Sequence, residues 1–366
     1  MRLLPSLITL ALLAGCATRT PAPPPPPTEP APPVVDVQTV RERYVSEESP
    51  ADELDSLATW TTEDGRTLLV ATAKSSHRLV LFDGDSGARL REFGGEGTAH
   101  GQFDRPNGVA VHGDWLFVVE RDNRRVQVLT LPGLRTLGTF GEGRLRSPYG
   151  IWLNETEPGE LEVYVTDSFM YGQRFDQLPP LAELSQRVHR FRVQAGGGDG
   201  ELRVAHGGAF GDTTPAAALH VVESIAGDPE NDRLLIADED EQRPSTLREY
   251  TFSGRYTGRS LPQDAFAAQA EGVALWSCAG GGGYWIAVDQ LAPLTVFHLF
   301  DRTTLAPRGS FRGMVTAHTD GVALHAASTP SFPAGVLYAV HDDRAVAAFD
   351  LRDVARVLGL GEGCTR

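Results

Sequence analysis

Residues 115–129 read WLFVVERDNRRVQVL: an apolar run Trp115-Leu-Phe-Val-Val119, a polar break, and a second run Arg125-Val-Gln-Val-Leu129. Both runs are short, rich in β-branched and aromatic residues, and separated by turn-forming residues, which is the signature of paired strands. The phrase returns five more times. It recurs as Thr67–Thr72 with Arg78–Phe82, Leu161–Thr166 with Val188–Val193, and Arg233–Ala237 with Leu247–Phe252. It closes the chain as Tyr284–Val288 with Thr295–Phe300 and Val336–Val340 with Ala345–Phe349. Six segments can therefore be superposed: Leu57–Gly94, Pro106–Gly141, Pro148–Gly211, Val221–Leu261, Glu271–Gly313 and Thr319–Leu360. A period of roughly 40 to 50 residues is the range in which propellers repeat. The expected fold is all-β, a six-bladed β-propeller, because a closed ring leaves only short protected edges. A pair of β-sandwiches does not explain six returns of one phrase. No clear amphipathic helix is expected, and Tyr171–Gln186 reads as an insertion between the second and third strands of blade 3.

The N-terminal residues have a different character. Arg2 precedes an apolar stretch, Leu3–Leu13, that ends in Leu13-Ala14-Gly15-Cys16. Such a run is too short to span a bilayer and exits through small residues, so residues 1–16 read as a lipoprotein signal peptide with a lipobox, acylated at Cys16. Ala17, in place of an aspartate, favours export to the outer membrane, facing the periplasm or the surface. Residues 17–50 are expected to be a Pro-rich linker, since Pro21–Pro33 favours extended polyproline and offers a core almost nothing to bury. Residues 51–366 are assigned to the propeller.

The formal charge of −15 arises from 48 acidic and 33 basic residues, with no cluster of Lys or Arg, which argues against nucleic acid as a partner. A monomer is expected. With Cys16 lipidated, two cysteines remain, Cys278 and Cys364. An exported compartment permits them to pair, although spacing alone does not bring them together.

Superposing the segments turns scattered polar residues into two columns. The first opens each blade: Asp55, Asn107, Tyr149, Glu223, Glu271 and Asp320, nearly all followed by a small residue that lets the chain turn. The second follows each second strand: Lys74, Glu120-Arg121, Asp167, Asp238-Glu239-Asp240, Asp289 and His341-Asp342-Asp343. Both columns are expected to face one end of the channel. Gathered carboxylates repel one another, and a hard cation relieves them; oxygen ligands without clustered His or Cys point to Ca²⁺. Lys74 and Arg121 are the cations an anionic ligand would need.

At these residues the chain resembles the β-propeller phytases, calcium-dependent enzymes that hydrolyse phosphomonoesters of phytate. The resemblance spans about 52–350 and is firmest over Glu223–Asp240, Ala270–Phe300 and Thr319–Asp343. It implies calcium ligands at Asp55, Asn107, Glu223, Glu239, Glu271, Asp320 and Asp342, catalytic and phosphate-gripping cations at Lys74 and Arg121, and a substrate-site tyrosine at Tyr149. The implied activity is a lipid-anchored, 3-phytase-like phosphomonoester hydrolase acting on phytate or another phosphomonoester. Three departures stand against it: Ser168-Phe169 replaces a Lys-Glu pair, Gly313–His318 lacks an acidic loop, and the opening acids are spread over Asp52-Glu-Leu-Asp55. Arg174, Arg187 and His318 are candidates to compensate. Blade 2, from Phe93 to Gln127, also resembles an NHL repeat. A non-catalytic propeller binding a protein or cell-envelope ligand, and a calcium-dependent lactonase or esterase, are the alternatives.

Overall fold

The computed structural model describes residues 36–195, 202–240, 242–279 and 281–364. The signal peptide, Cys16 and the Pro21–Pro33 stretch lie outside the described residues. The rest is six sheets arranged as blades around an axis, a six-bladed β-propeller. Blade 1 is Leu54–Thr61, Thr67–Ala73, Arg78–Asp83 and Arg89–Gly94, and blade 2 is Pro106–His112, Trp115–Glu120, Arg125–Thr130 and Thr136–Phe140. Blade 3 is Pro148–Glu157, Glu160–Asp167, Val188–Ala195 and Leu202–Phe210, and blade 4 is Val222–Asp228, Arg233–Asp238, Thr246–Tyr250 and Tyr256–Ser260. Blade 5 contains Ala270–Ser277, Gly283–Asp289, Val296–Asp301 and Pro307–Arg312; blade 6 contains Val322–His325, Val336–His341 and Ala345–Asp350. The first strand of each blade is innermost and touches the first strand of the next, and blade 6 returns to blade 1.

The apolar runs are continuous because the second strands are covered on both faces. Every residue of Thr67–Ala73 and of Arg233–Asp238 is buried. Among the described residues the buried side chains form six clusters, each between two neighbouring blades. Between blades 2 and 3, for example, Phe117, Val119 and Val128 pack against Ile151, Val163 and Phe191. The core is thus a set of wedges, and each blade is stable only through both neighbours.

The ring is closed by residues expected to be linker. Val37–Thr39 runs parallel to the outer strand of blade 5, and Tyr44–Val45 pairs antiparallel with Ala345–Asp350 as the fourth strand of blade 6. The linker expected over 17–50 therefore ends before Val37, because blade 6 supplies only three strands of its own. Between the two segments the Glu42 carboxylate accepts hydrogen bonds from the backbone N–H groups of Met314, Val315 and Thr316, at 3.0 Å each. A helix that the apolar pattern does not announce, Leu351–Leu358, follows blade 6; Asp350 caps its start, Gly359 ends it, and Leu351, Val354 and Ala355 pack into the blade 5/6 wedge. Beyond it, Cys364 is joined to Cys278 by a disulfide.

The inner strands approach one another too closely for side chains on every residue. A Cβ on Gly150 would press on the Glu223 carbonyl, on Gly108 on that of Tyr149, and on Gly321 on that of Asp55. Threonine hydroxyls stitch the same contacts: the Gly150 N–H donates to Thr166 Oγ1 at 2.7 Å, and that hydroxyl donates to the Glu223 carbonyl at 2.8 Å. Gly150→Ala is expected to lower unfolding free energy by about 2–3 kcal/mol through overpacking, measured by denaturant titration. The disulfide closes an 86-residue separation and so constrains the unfolded chain by roughly 4–5 kcal/mol in the loop-entropy account. Cys278→Ser should therefore melt several degrees below the wild type, and mass spectrometry of the unreduced protein should find no free thiol at either position.

Candidate functional site

The first column arrives at the axis through an irregularity common to the ring. In blades 1 to 5 the ladder between first and second strands skips register across the column residue: Leu54/Leu57, Pro106/Val109, Pro148/Ile151, Val222/Ile225 and Ala270/Val273. Bulges of this kind re-aim side chains out of the ladder. Asp55, Tyr149, Glu223, Glu271 and Asp320 accordingly line one small cavity on the axis. The Tyr149 hydroxyl donates to Asp55 Oδ1 at 3.0 Å, and Asn107 is fully buried in the same tier.

The second column divides in two, and only part of it faces the channel as expected. The residues that end the second strands are struts for the loop entering their own blade. Asp167 accepts from the N–H groups of Arg146 and Ser147 at 2.8 and 2.7 Å, Asp289 from those of Ala267 and Ala268 at 2.9 Å, and Asp238 from those of His220 and Val221 at 3.1 Å. Glu120 does the same for Asp104 at 3.2 Å and is held by Arg125 at 2.6 Å. The next residue along is the one that reaches inward: Lys74, Arg121, Glu239 and Gln290. Gln290, unnoticed in the sequence because it is uncharged, donates through Nε2 to Asp320 Oδ1 at 2.6 Å.

Asp342 does not join the axial group. It pairs with Arg344 at 3.3 Å and its side chain is 45% exposed, whereas Asp343 approaches Asp320 and His318, their ligand atoms lying within 4.8 Å of one another. Both aspartates have positive φ, 50° and 55°, so the turn carries the second back toward the axis. Lys74 is also differently employed. Its Nζ lies 3.0 Å from Asp55, 3.1 Å from Asp320 and 3.6 Å from Glu53, and its side chain is only 7% exposed. It is the buried counterion of the acids and does not line the large cleft. Burial opposes its charge, but Asp55 and Asp320 overturn that and hold it protonated well above the ordinary lysine range.

Glu223, Glu239 and Glu271 bring carboxylate oxygens within 4.8 Å of one another. Burial, then the charges of Asp55 and Asp320, pushes Glu223 up to about 8; burial and Asp55 push Asp320 to about 6. Burial holds Glu239 and Glu271 well above the usual carboxylate range, helped by the charges of Glu271 and Glu223 on the first and of Glu223 and Asp320 on the second. Glu239 is 3% exposed, yet among the described residues its Oε1 has no hydrogen-bond partner, and neither do Oδ1 and Nδ2 of the fully buried Asn107. A converging all-oxygen donor set with orphaned buried atoms fits a hard divalent cation.

Beside the axis, between blades 2, 3 and 4, lies a cleft of about 640 Å³ lined by Arg121, Arg124, Tyr149, Glu223, Met170 and Phe175, among others. Tyr149 and Glu223 belong to both cavities. Ser168 accepts the Val222 N–H at 3.2 Å, and Phe169 is buried between the guanidinium groups of Arg146 and Arg187. Arg187, expected as a compensating cation, does not line the cleft. It is fully buried and donates to the carbonyls of Asp167, Phe169, Leu219 and His220. Arg174 lies exposed on the insertion.

No protein-family model matches this chain, and no curated protein matches it. Solved structures are similar to it in fold. Catalytically inactive virginiamycin B lyase from Staphylococcus aureus with quinupristin superposes with a TM-score of 0.48 at 11% identity, over 83% of this chain and 98% of that one. Hydrazine synthase of Kuenenia stuttgartiensis gives 0.49 at 13%, over 86% and 82%. The β-propeller domain of Cps50 (Swd1) from Myceliophteria thermophila gives 0.49 at 11%, over 83% and 98%. Nothing about activity passes to this chain at such identities, and its six-bladed propeller rests on its own six sheets.

Proposed function

We propose that the axial face is a calcium-dependent phosphomonoesterase site of the kind the phytase resemblance implies. The observation that carries the reading is the convergence of Glu223, Glu239 and Glu271, with an unpartnered Glu239 oxygen, beside a cleft whose rim holds Arg121. Ca²⁺ held by these carboxylates would supply the positive charge that binds a phosphate and makes a water more acidic. In hydrolysis the water oxygen joins phosphorus, the ester P–O bond breaks, and the alcohol leaves with one of the water's protons. Arg121 is half-buried at the cleft and now bonds Asp122 at 2.8 Å, a pairing from which it can turn onto phosphoryl oxygens. Burial and the charges of Asp55 and Glu223 keep the Tyr149 hydroxyl protonated, so it serves as a hydrogen-bond donor and not as a base. Lys74, protonated and enclosed, fixes Asp55 and Asp320 in place. The same reading puts the enzyme in the cell envelope, held through acylated Cys16. Phosphate release from phytate and simpler monoesters, in Ca²⁺ and in chelator, tests it; no calcium-dependent release from any of them would leave the binding-propeller alternative.

Two further outcomes are expected. In chelator, Glu223 and Asp320 keep protons in the folded state that they lose in the unfolded one, so their contribution favours folding at low pH and is lost as pH rises from about 4.5 through about 8. The chelated protein should melt lower at about pH 8 than at about pH 5.5, and Ca²⁺ should raise the midpoint more at the higher pH, where the carboxylates are free of protons. Scanning calorimetry at the two values reads this, and a midpoint indifferent to Ca²⁺ at both would remove the cation from the site. The two cations should also separate. Arg121→Ala is expected to lower kcat/KM about 100-fold with little change in melting. Lys74→Met should instead cost on the order of 3 kcal/mol of stability near pH 8, and less near pH 5.5, because it strands buried carboxylates that acid neutralises.

A further inference from the structure

The cleft beside the axis has two unlike sides. Arg121 and Arg124, from the turn after the second strand of blade 2, line one; Met170, Tyr171 and Phe175, from the blade 3 insertion, line the other. Phe175 is 74% exposed and Tyr171 42%, and they are the two exposed aromatic side chains among the described residues. Phe175 also has φ of 53°, in the left-handed region where a side chain of its size is uncommon. An unfavourable backbone that holds an apolar ring out into a cleft points to use of the ring.

The wall is held in place. Tyr171 and Gln177 exchange backbone hydrogen bonds at 2.7 and 3.0 Å, and the Tyr171 hydroxyl donates to Glu183 at 2.5 Å. Arg146 donates to the Tyr171 hydroxyl at 3.3 Å and to Glu183 at 3.4 Å while stacking on Phe169, which Arg187 covers from elsewhere. Arg146 is thereby committed to the wall. The arginines left for a ligand are Arg121 and Arg124, and the inner end of the cleft is formed by Tyr149 and Glu223 of the axial group.

A polyol carrying phosphates on every side would press charge against Met170, Tyr171 and Phe175, where it finds no partner. A ligand with one anionic end and one apolar end fits both sides, and about 640 Å³ is ample for a fused aromatic ring system. We infer that the phosphomonoester taken here is that of a bulky aromatic alcohol, with the phosphate toward Arg121 and the axis and the ring against Met170 and Phe175. This rests on the phosphomonoesterase reading and moves its substrate away from phytate.

The test separates ligand class from reaction. Calorimetric titration of the calcium-loaded protein with naphthylphosphonate and with methylphosphonate, neither of which can be hydrolysed, is expected to show the naphthyl compound binding at least about tenfold tighter. It should also bind more tightly than phytate. Phe175→Ala should bring the naphthyl-to-methyl ratio close to one and Phe175→Leu should keep most of it, with melting midpoints confirming that both variants fold. Equal affinities in the wild type, a ratio untouched by Phe175→Ala, or no binding of either phosphonate would overturn the inference. Release of phosphate from naphthyl phosphate is followed in parallel. Selective binding without release would uphold the ligand class and sink the esterase reading alone.

Discussion

Carboxylates from Asp55, Glu223, Glu239, Glu271 and Asp320 meet around an axis that six blades oblige them to share, and the centre of the molecule is organised by the need to neutralise them. Lys74 answers for Asp55 and Asp320, and Gln290 and Tyr149 add hydrogen bonds to the same pair. Nothing of that kind reaches Glu239 Oε1 among the described residues. The blade 4/5 side of the axis is therefore where charge is least compensated, and the three glutamates there retain protons most strongly. A site that stores protons on convergent carboxylates can exchange them for a cation.

The approach of the inner strands makes this crowding possible. Gly108, Gly150 and Gly321 set one blade's backbone against the next blade's carbonyl, and at Gly108 and Gly150 the accompanying bulges turn the preceding side chains inward. One position further out, Glu120, Asp167, Asp238 and Asp289 tie each entry loop to its own second strand. Two positions one residue apart thus have distinct tasks: the strand-ending acid is spent on backbone N–H groups, and the residue after it, whatever its charge, is free to face the axis.

That one-residue offset explains what the sequence conveyed and what it withheld. Repetition made the strands and the first column legible, because strand burial and the turn into each blade impose the same residue types six times. The second column was legible only as a region. Composition does not distinguish a strut from an inward-facing acid, and Gln290 carries no charge to single it out; in blade 6 the offset itself fails, because the positive-φ turn brings Asp343, and not Asp342 next to the strand, toward Asp320. Lining up the position immediately after each second strand in blades 1 to 5 selects Lys74, Arg121, Ser168, Glu239 and Gln290 together. Ring closure was hidden for another reason. Val37–Thr39 and Tyr44–Val45 are too short to show a strand period, and they pair only because blades 5 and 6 offer edges. The helix Leu351–Leu358 likewise depends on the wedge it packs into more than on its own eight residues.

The ring and the cleft supply different kinds of selectivity. Near-equivalent blades can concentrate charge on the axis, but a symmetric ring has no direction along which to recognise the rest of a substrate. Beside the cleft the ring's symmetry is broken by blade 3, where Ser168 and Phe169 follow the second strand and the insertion comes soon after them. Phe169 is what holds Arg146, and Arg146 holds the wall through Tyr171 and Glu183. Phe169 and the apolar wall are thus one connected structure. A polyanion would meet hydrocarbon on that side of the cleft, whereas Arg121 and Arg124 line the other.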